Sequence, residues 1–184
     1  MSNLVPKKVF FTRGVGIHKE KLQSFELALR KAGIEKCNIV KVSSIFPPHC
    51  KIIARSKGLA QLSGGQIIYC VLGRISTDEP YRLMSASIGL AIPSNRVHYG
   101  YISEHEAFGI SGKEASDYVE DLAATMLATT LGVDFDPNES YDERREIYRM
   151  SGKIVESRSI TQTAKGDPYG RWTTAVAAAV FLME

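Results

Sequence analysis

Three features of this 184-residue chain carry side chains suited to chemistry. The first is the run Asn38-Ile39-Val40-Lys41-Val42-Ser43-Ser44-Ile45-Phe46-Pro47-Pro48. Strand-like apolar residues lead into two serines, and two prolines follow at once. Proline has no amide N–H, so sheet pairing cannot run through such a pair. The Ser43–Ser44 peptide is therefore expected where a strand becomes a loop, a place where a peptide bond can be strained and exposed. The second feature is Glu104 with Glu106 in the stretch Gly100–Phe108. Period-two alternation puts both carboxylates on one face of a strand end, with His105 opposite. A paired or buried carboxyl group holds its proton to higher pH, as a general acid working near neutrality requires; the plainer reading is a solvated strand end. The third is Glu26, on the apolar stripe of a helix and one turn before Arg30. Either it sits at the stripe's edge and pairs with Arg30 across the helix surface, or it faces a cavity and awaits a cation.

The Ser-Ser-Ile-x-Pro-Pro core resembles the self-cleavage site of the pyruvoyl-dependent arginine decarboxylases. The likeness continues in Glu26-Leu27-Ala28-Leu29-Arg30-Lys31-Ala32-Gly33-Ile34, in Gly100-Tyr101-Ile102-Ser103-Glu104 and in the small residues near the C-terminus. It implies that the Ser44 hydroxyl attacks the Ser43 carbonyl and that the chain parts into a small β chain, 1–43, and a large α chain, 44–184. Ser44 then becomes a covalently bound pyruvoyl group, an electron sink doing the work pyridoxal phosphate does elsewhere. The resemblance further implies L-arginine as substrate, with agmatine and CO2 as products that feed polyamine synthesis. Glu104 would protonate the α-carbon, and Asn38 would act near the reacting centre during processing. From its place after Gly33, Asn38 is equally a turn residue that starts the strand. Six residues of straight strand span roughly 20 Å. Asn38 therefore meets Ser44 only if the strand folds back or if it serves a site made with a neighbouring subunit. Where the family has an aspartate for the substrate guanidinium, this chain has Glu26, with the same charge and one more methylene. A shorter pocket would suit lysine or ornithine. Two other readings stand beside this one: pyruvoyl-dependent decarboxylation of histidine, ornithine or lysine, and an uncleaved binding or scaffold protein of the same fold.

Positioning these groups takes a modest set of elements. Val9–Phe11 reads as a short strand ending in a glycine turn at Thr12-Arg13-Gly14-Val15-Gly16. Lys19–Ala32 reads as an amphipathic helix stopped by Gly33, its apolar stripe being Leu22, Phe25, Leu29 and Ala32. Strands are expected at 38–44, 66–72, 82–92, 97–103, 154–163 and 172–182, with turns at Ser63-Gly64-Gly65 and Ser76–Pro80. Ser111 and Glu114 form a capping box that opens a helix running to Gly132. Residues 134–150 are expected as an exposed loop with a short helix. The alanines at 175 and 177–179 allow close approach, whether to a helix above the strand or to another subunit. This is one α/β domain of the α+β type. The resemblance implies a layered αββα sandwich, assembled as a trimer or a dimer of trimers with active sites between subunits, and no metal.

Composition excludes several classes. A hydrophobic content of 44% with 23% charged residues suits a soluble globular chain with a real core. A net charge of +3, spread along the chain, gives no case for nucleic acid. No apolar stretch approaches the roughly 20 residues of a membrane span. The N-terminus does not read as a signal peptide. Cys37, Cys50 and Cys70 have no metal spacing, and reduced thiols in a cytoplasmic protein are the expectation.

Overall fold

The computed structural model describes residues 4–136 and 138–184. Among these residues, nine strands and four helices follow the order β1 Lys8–His18, α1 Lys21–Ala32, β2 Asn38–Lys41, β3 Ile45–Phe46, β4 Lys51–Ile52, α2 Arg55–Leu59, β5 Ile67–Thr77, β6 Leu83–Pro93, β7 Gly100–Phe108, α3 Gly112–Thr130, α4 Tyr141–Met150, β8 Ile154–Lys165 and β9 Trp172–Leu182. One sheet has the order β2-β5-β9-β1-β4 and the other β3-β7-β6-β8. The first is mixed, since β2 pairs with β5 and β4 with β1 in parallel. The second is antiparallel throughout.

The sheets face each other across a core that includes Val71, Met84, Ile88, Leu90, Ile102 and Ala177. Helix α1 covers the outer face of the first sheet, where Ala28 and Ala32 pack with Phe10, Leu72 and Val180. Helix α3 covers the second, with Ala123, Leu127 and Ala128 against Ala91. Four layers result, in the order helix, sheet, sheet, helix. Ser111 caps α3 in a reciprocal box with Glu114, as its spacing predicts. Gly33 ends α1 in the left-handed conformation, with φ 80°.

Two local expectations are corrected. Thr12–Gly16 is no turn: β1 runs on to His18 and pairs with β9 along its whole length. Its glycines serve close approach. A Cβ at Gly14 would lie 2.2 Å from the Ala28 carbonyl oxygen, and one at Gly16 would lie 2.1 Å from that of Ser24. For the same reason α1 buries the small-residue line Ser24, Ala28 and Ala32, while Leu22 is exposed. The face that meets a sheet at backbone distance is chosen by size, and the larger apolar side chains Phe25 and Leu29 only flank it. The alanines of β9 follow the same logic: Ala178 lies under α1, and Ala175, Ala177 and Ala179 lie between the sheets.

Smaller differences concern ends. β2 stops at Lys41 and β7 starts at Gly100. In the 134–150 segment, Pro137 lies outside the described residues. Helix α4 is anchored there by buried Tyr148 and by an Arg144–Asp121 ion pair of 2.5 Å.

Candidate active site

The Ser43–Ser44 peptide is the step by which the chain leaves one sheet for the other. Up to Val42 the chain belongs to the first sheet: Lys41 is the register partner of Cys70, and the Val42 N–H donates to the Cys70 carbonyl at 3.0 Å. From Ser44 it belongs to the second. The Ser44 carbonyl accepts the Ile102 N–H at 2.7 Å, and Ile45 and Phe46 are the partners of Tyr101 and Gly100. Phe46 fixes the far side by burying its ring in the inter-sheet core. Pro47 and Pro48 then end the pairing. His49 takes a positive φ of 57° and donates its N–H to the Arg96 carbonyl, while Arg96 Nη2 donates to the Cys50 carbonyl. The loop is thus held on both sides of the serines, with Ser43 exposed and Ser44 half-buried. Across this crossing the Ile45 N–H donates back to the Ser43 carbonyl at 3.1 Å.

Glu104 comes close to this crossing from β7. Ile102 and Glu104 share a face two residues apart, and Ile102 is the residue bonded to Ser44. The Glu104 carboxylate lies 3.7 Å from the Lys41 ammonium, three residues before Ser44. Glu106, on the same face, accepts the backbone N–H of Arg74 in β5 at 2.9 Å. The expected pair of carboxylates on one face is present, but each is turned to its own donor. His105 lies on the other face, its ring 4.4 Å from that of Tyr118 in α3.

Asn38 and Glu26 are not gathered at the serines within one chain. β2 runs in continuous register from Asn38 to Lys41 and does not fold back. The Asn38 side chain donates to the Gly65 carbonyl at 3.0 Å, at the end of the strand remote from the serines. Glu26 takes the Arg30 guanidinium, with Nε at 3.1 Å and Nη2 at 2.6 Å from the same oxygen. Beside it, the Arg74 guanidinium stacks on the Phe25 ring at 3.7 Å. Burial lowers the pKa of that guanidinium below its ordinary value.

A cavity of about 420 Å³ opens beside the crossing. Val42, Ser43, Ile45, Pro47, Tyr69 and Phe181 form part of its wall, and among the described residues no carboxylate lines it. It can shelter the aliphatic part of a substrate and exclude water from the Ser43 side. It does not supply a partner for a guanidinium.

Two groups escaped the sequence reading. Lys41 stood inside the motif, but only the sheet-to-sheet geometry shows that it reaches Glu104. The Ile45 N–H is a backbone group with no signature in residue type.

The profile of the family described as "Pyruvoyl-dependent arginine decarboxylase" matches residues 8–184. Among curated relatives, the "Probable pyruvoyl-dependent arginine decarboxylase" of Chlorobium limicola is 59% identical over 98% of this chain and 99% of its own. The protein of the same description from Chloroherpeton thalassium is 58% identical over 97% of this chain and 98% of its own. The "Pyruvoyl-dependent arginine decarboxylase 2" of Methanosarcina mazei is 55% identical, with the same coverage of both chains. With identity of this order over almost every residue, and with the paired serines set at the crossing between sheets, the chain belongs to the pyruvoyl-dependent arginine decarboxylase family.

Proposed function

We propose that this protein cuts its own chain between Ser43 and Ser44 and then decarboxylates L-arginine to agmatine and CO2. As a member of its family it is a lyase that works through a covalently bound pyruvoyl group, which takes up the electron pair left on the α-carbon as CO2 departs. Ser44 is the precursor of that group. The observation that carries the reading is the placement of the Ser43–Ser44 peptide. It is exposed on its Ser43 side, spans two sheets, and is clamped by Val42 on one side and Phe46 on the other. Scission there leaves both sheet ladders intact.

The chain's own side chains then have distinct tasks. Glu104, one strand repeat beyond the Ile102–Ser44 bond, supplies the proton to the α-carbon. Glu26, which in the free chain holds an arginine side chain of its own, supplies the carboxylate for the substrate's guanidinium. Its extra methylene relative to the family's aspartate lets the same charge serve a shorter basic amino acid. Asn38 assists processing from a neighbouring subunit, since it does not approach Ser44 of its own chain.

The separation of Glu26, Asn38 and the apolar cavity within one chain supports a homo-oligomer, a trimer or a dimer of trimers, with sites completed between subunits. Agmatine made here feeds polyamine synthesis in the cytoplasm. The described residues contain no helix long and apolar enough to cross a membrane.

Intact-mass measurement of the purified protein tests the central claim. Two species are expected, residues 1–43 and residues 44–184 carrying a pyruvoyl terminus, together with CO2 release from arginine. Ser44→Ala should give one full-length species and no CO2. A wild-type chain that stays whole, or a Ser44→Ala chain that still cleaves and decarboxylates, removes the reading. Product analysis against histidine, ornithine and lysine separates arginine from other substrates.

A further inference from the structure

We infer that the backbone N–H of Ile45 is the oxyanion donor for self-cleavage. The inference deepens the proposed function and rests on cleavage at Ser43–Ser44. In the first step the Ser44 Oγ forms a bond to the Ser43 carbonyl carbon, and the carbonyl π pair moves onto its oxygen. The hydroxyl proton passes to the Ser44 nitrogen as the C–N bond breaks, leaving an ester and a free amine. Loss of the Ser44 α-proton with cleavage of the Cβ–Oγ bond then releases the Ser43 carboxylate and a dehydroalanine. Water replaces its nitrogen as ammonia, which gives the ketone.

The negative charge of the first step develops on the Ser43 carbonyl oxygen. That oxygen already accepts the Ile45 N–H at 3.1 Å. The bond spans three residues, and Ser44 is not among the residues of positive φ, so the turn is of the inverse γ kind. Such a turn bends the chain sharply at the scissile residue and fixes its preceding carbonyl before any chemistry.

Sheet geometry leaves this N–H free for the task. Ser44 and Ile102 are joined through the Ile102 N–H, so the next pair, Ile45 and Tyr101, falls at a non-hydrogen-bonded position of the antiparallel ladder. The Ile45 N–H consequently points away from β7. Because β3 is the edge strand of its sheet, no further strand claims it. Among the described residues no side chain donates to the Ser43 carbonyl, and the amide of Asn38 is engaged with Gly65. The chain thus carries an oxyanion donor of its own one residue beyond the nucleophile, in addition to any help from Asn38 of a neighbouring subunit.

Replacing the 44–45 peptide by an ester removes this one hydrogen. The experiment places the hydroxy-acid counterpart of isoleucine at position 45 by cell-free translation and follows release of the 1–43 fragment by intact mass. Loss of one oxyanion donor is expected to slow cleavage on the order of 10²–10³-fold. The ester also weakens the Ser44 carbonyl as acceptor, so a second chain carries the ester at position 102. That chain loses the Ile102–Ser44 bond but keeps the Ile45 N–H, and it should cleave far faster than the first.

Equal rates for the position-45 ester and the unmodified chain overturn the inference, as do equal rates for the two esters. Hydrogen exchange in the uncleaved Ser44→Ala chain gives a test that does not depend on folding of the esters. The Ile45 amide should be protected, and exchange at the rate of a free amide overturns the assignment. Failure of the wild type to cleave would remove the proposed function itself. Cleavage of the wild type and of the position-45 ester at one rate removes only the role of Ile45.

Discussion

The Lys41 ammonium lies 3.7 Å from the Glu104 carboxylate, joining the strand that leads into Ser43 to a strand of the opposite sheet. Both side chains are substantially exposed, so the pair contributes at most about 1 kcal/mol to stability. Its importance is positional. Lys41 belongs to the 1–43 segment and Glu104 to the 44–184 segment, so cleavage would leave this contact between two separate chains at the reacting centre.

Glu104→Gln should cleave normally and then decarboxylate arginine on the order of 10²–10⁴-fold more slowly, the usual contribution of a positioned acid. Single-turnover CO2 release on verified two-chain protein is the measurement. Glu106→Gln is the control, since its carboxylate is occupied by the Arg74 N–H. It should lower thermal stability and largely spare turnover. Near-normal turnover in Glu104→Gln would return that residue to the status of a strand-end charge.

Glu26→Gln should raise KM for arginine by about tenfold or more, the loss of one charge-assisted hydrogen-bonded contact, with a smaller change in kcat. Glu26→Asp should shift the ratio of kcat/KM values for arginine against ornithine. An unchanged KM in Glu26→Gln would leave Glu26 as the helix-surface partner of Arg30 alone.

Asp167 governs part of the acid stability. It is buried in the turn between β8 and β9, and it accepts from the Tyr169 N–H and from the Arg171 guanidinium, at 3.1 Å and 2.7 Å. The hydrogen bonds from Arg171 hold its pKa below the ordinary 3.8, as the caps at Ser111 and Ser140 do for Glu114 and Glu143. A depressed folded-state value means that the stabilisation is present above the unfolded pKa and is lost as pH falls through the folded one. Urea midpoints should therefore drop below about pH 4 in the wild type. Asp167→Asn should be less stable at neutral pH and lose less on acidification. An identical acid profile in the variant would remove Asp167 from this account.

The three thiols are free, and burial sorts them. Desolvation raises Cys50 to about 11 and Cys70 to about 12, while Cys37 is only partly buried. A thiol-reactive disulfide reagent at pH 8 should label Cys37 first, with Cys50 and Cys70 reacting only on unfolding. Peptide mapping after brief labelling decides it.

How far the sequence disclosed this can be judged from single residues. The Ser111 box, the Gly33 stop, the turn-bounded strands and the breaking power of Pro47-Pro48 were legible, because each depends on local backbone chemistry. The buried face of α1 was not. Its small residues answer to Gly14 and Gly16 on a strand that had been read as a turn, and the match is tertiary. The shared face of Glu104 and Glu106 followed from alternation, whereas their separate donors, Lys41 and the Arg74 N–H, come from the other sheet. Ser43 and Ser44 were marked by motif. The gap they bridge required the strand order of both sheets.

That strand order has a consequence for a chain cut at Ser43–Ser44. The 1–43 segment contributes β1 and β2 to the first sheet, where they flank the β5–β9 pair of the 44–184 segment rather than lying side by side. β1 alone is registered against β9 over eleven residue pairs. Cut at Ser43–Ser44, the two halves would hold together in the native state: the 44–184 segment carries the whole second sheet, but neither half carries the whole of the first. Once melted, a cut protein would have to find its other half by diffusion, whereas the uncut Ser44→Ala chain should rebuild that sheet within one molecule. Cleavage would thus add, to the folding of each chain, a joining of halves whose recovery from heat depends on concentration.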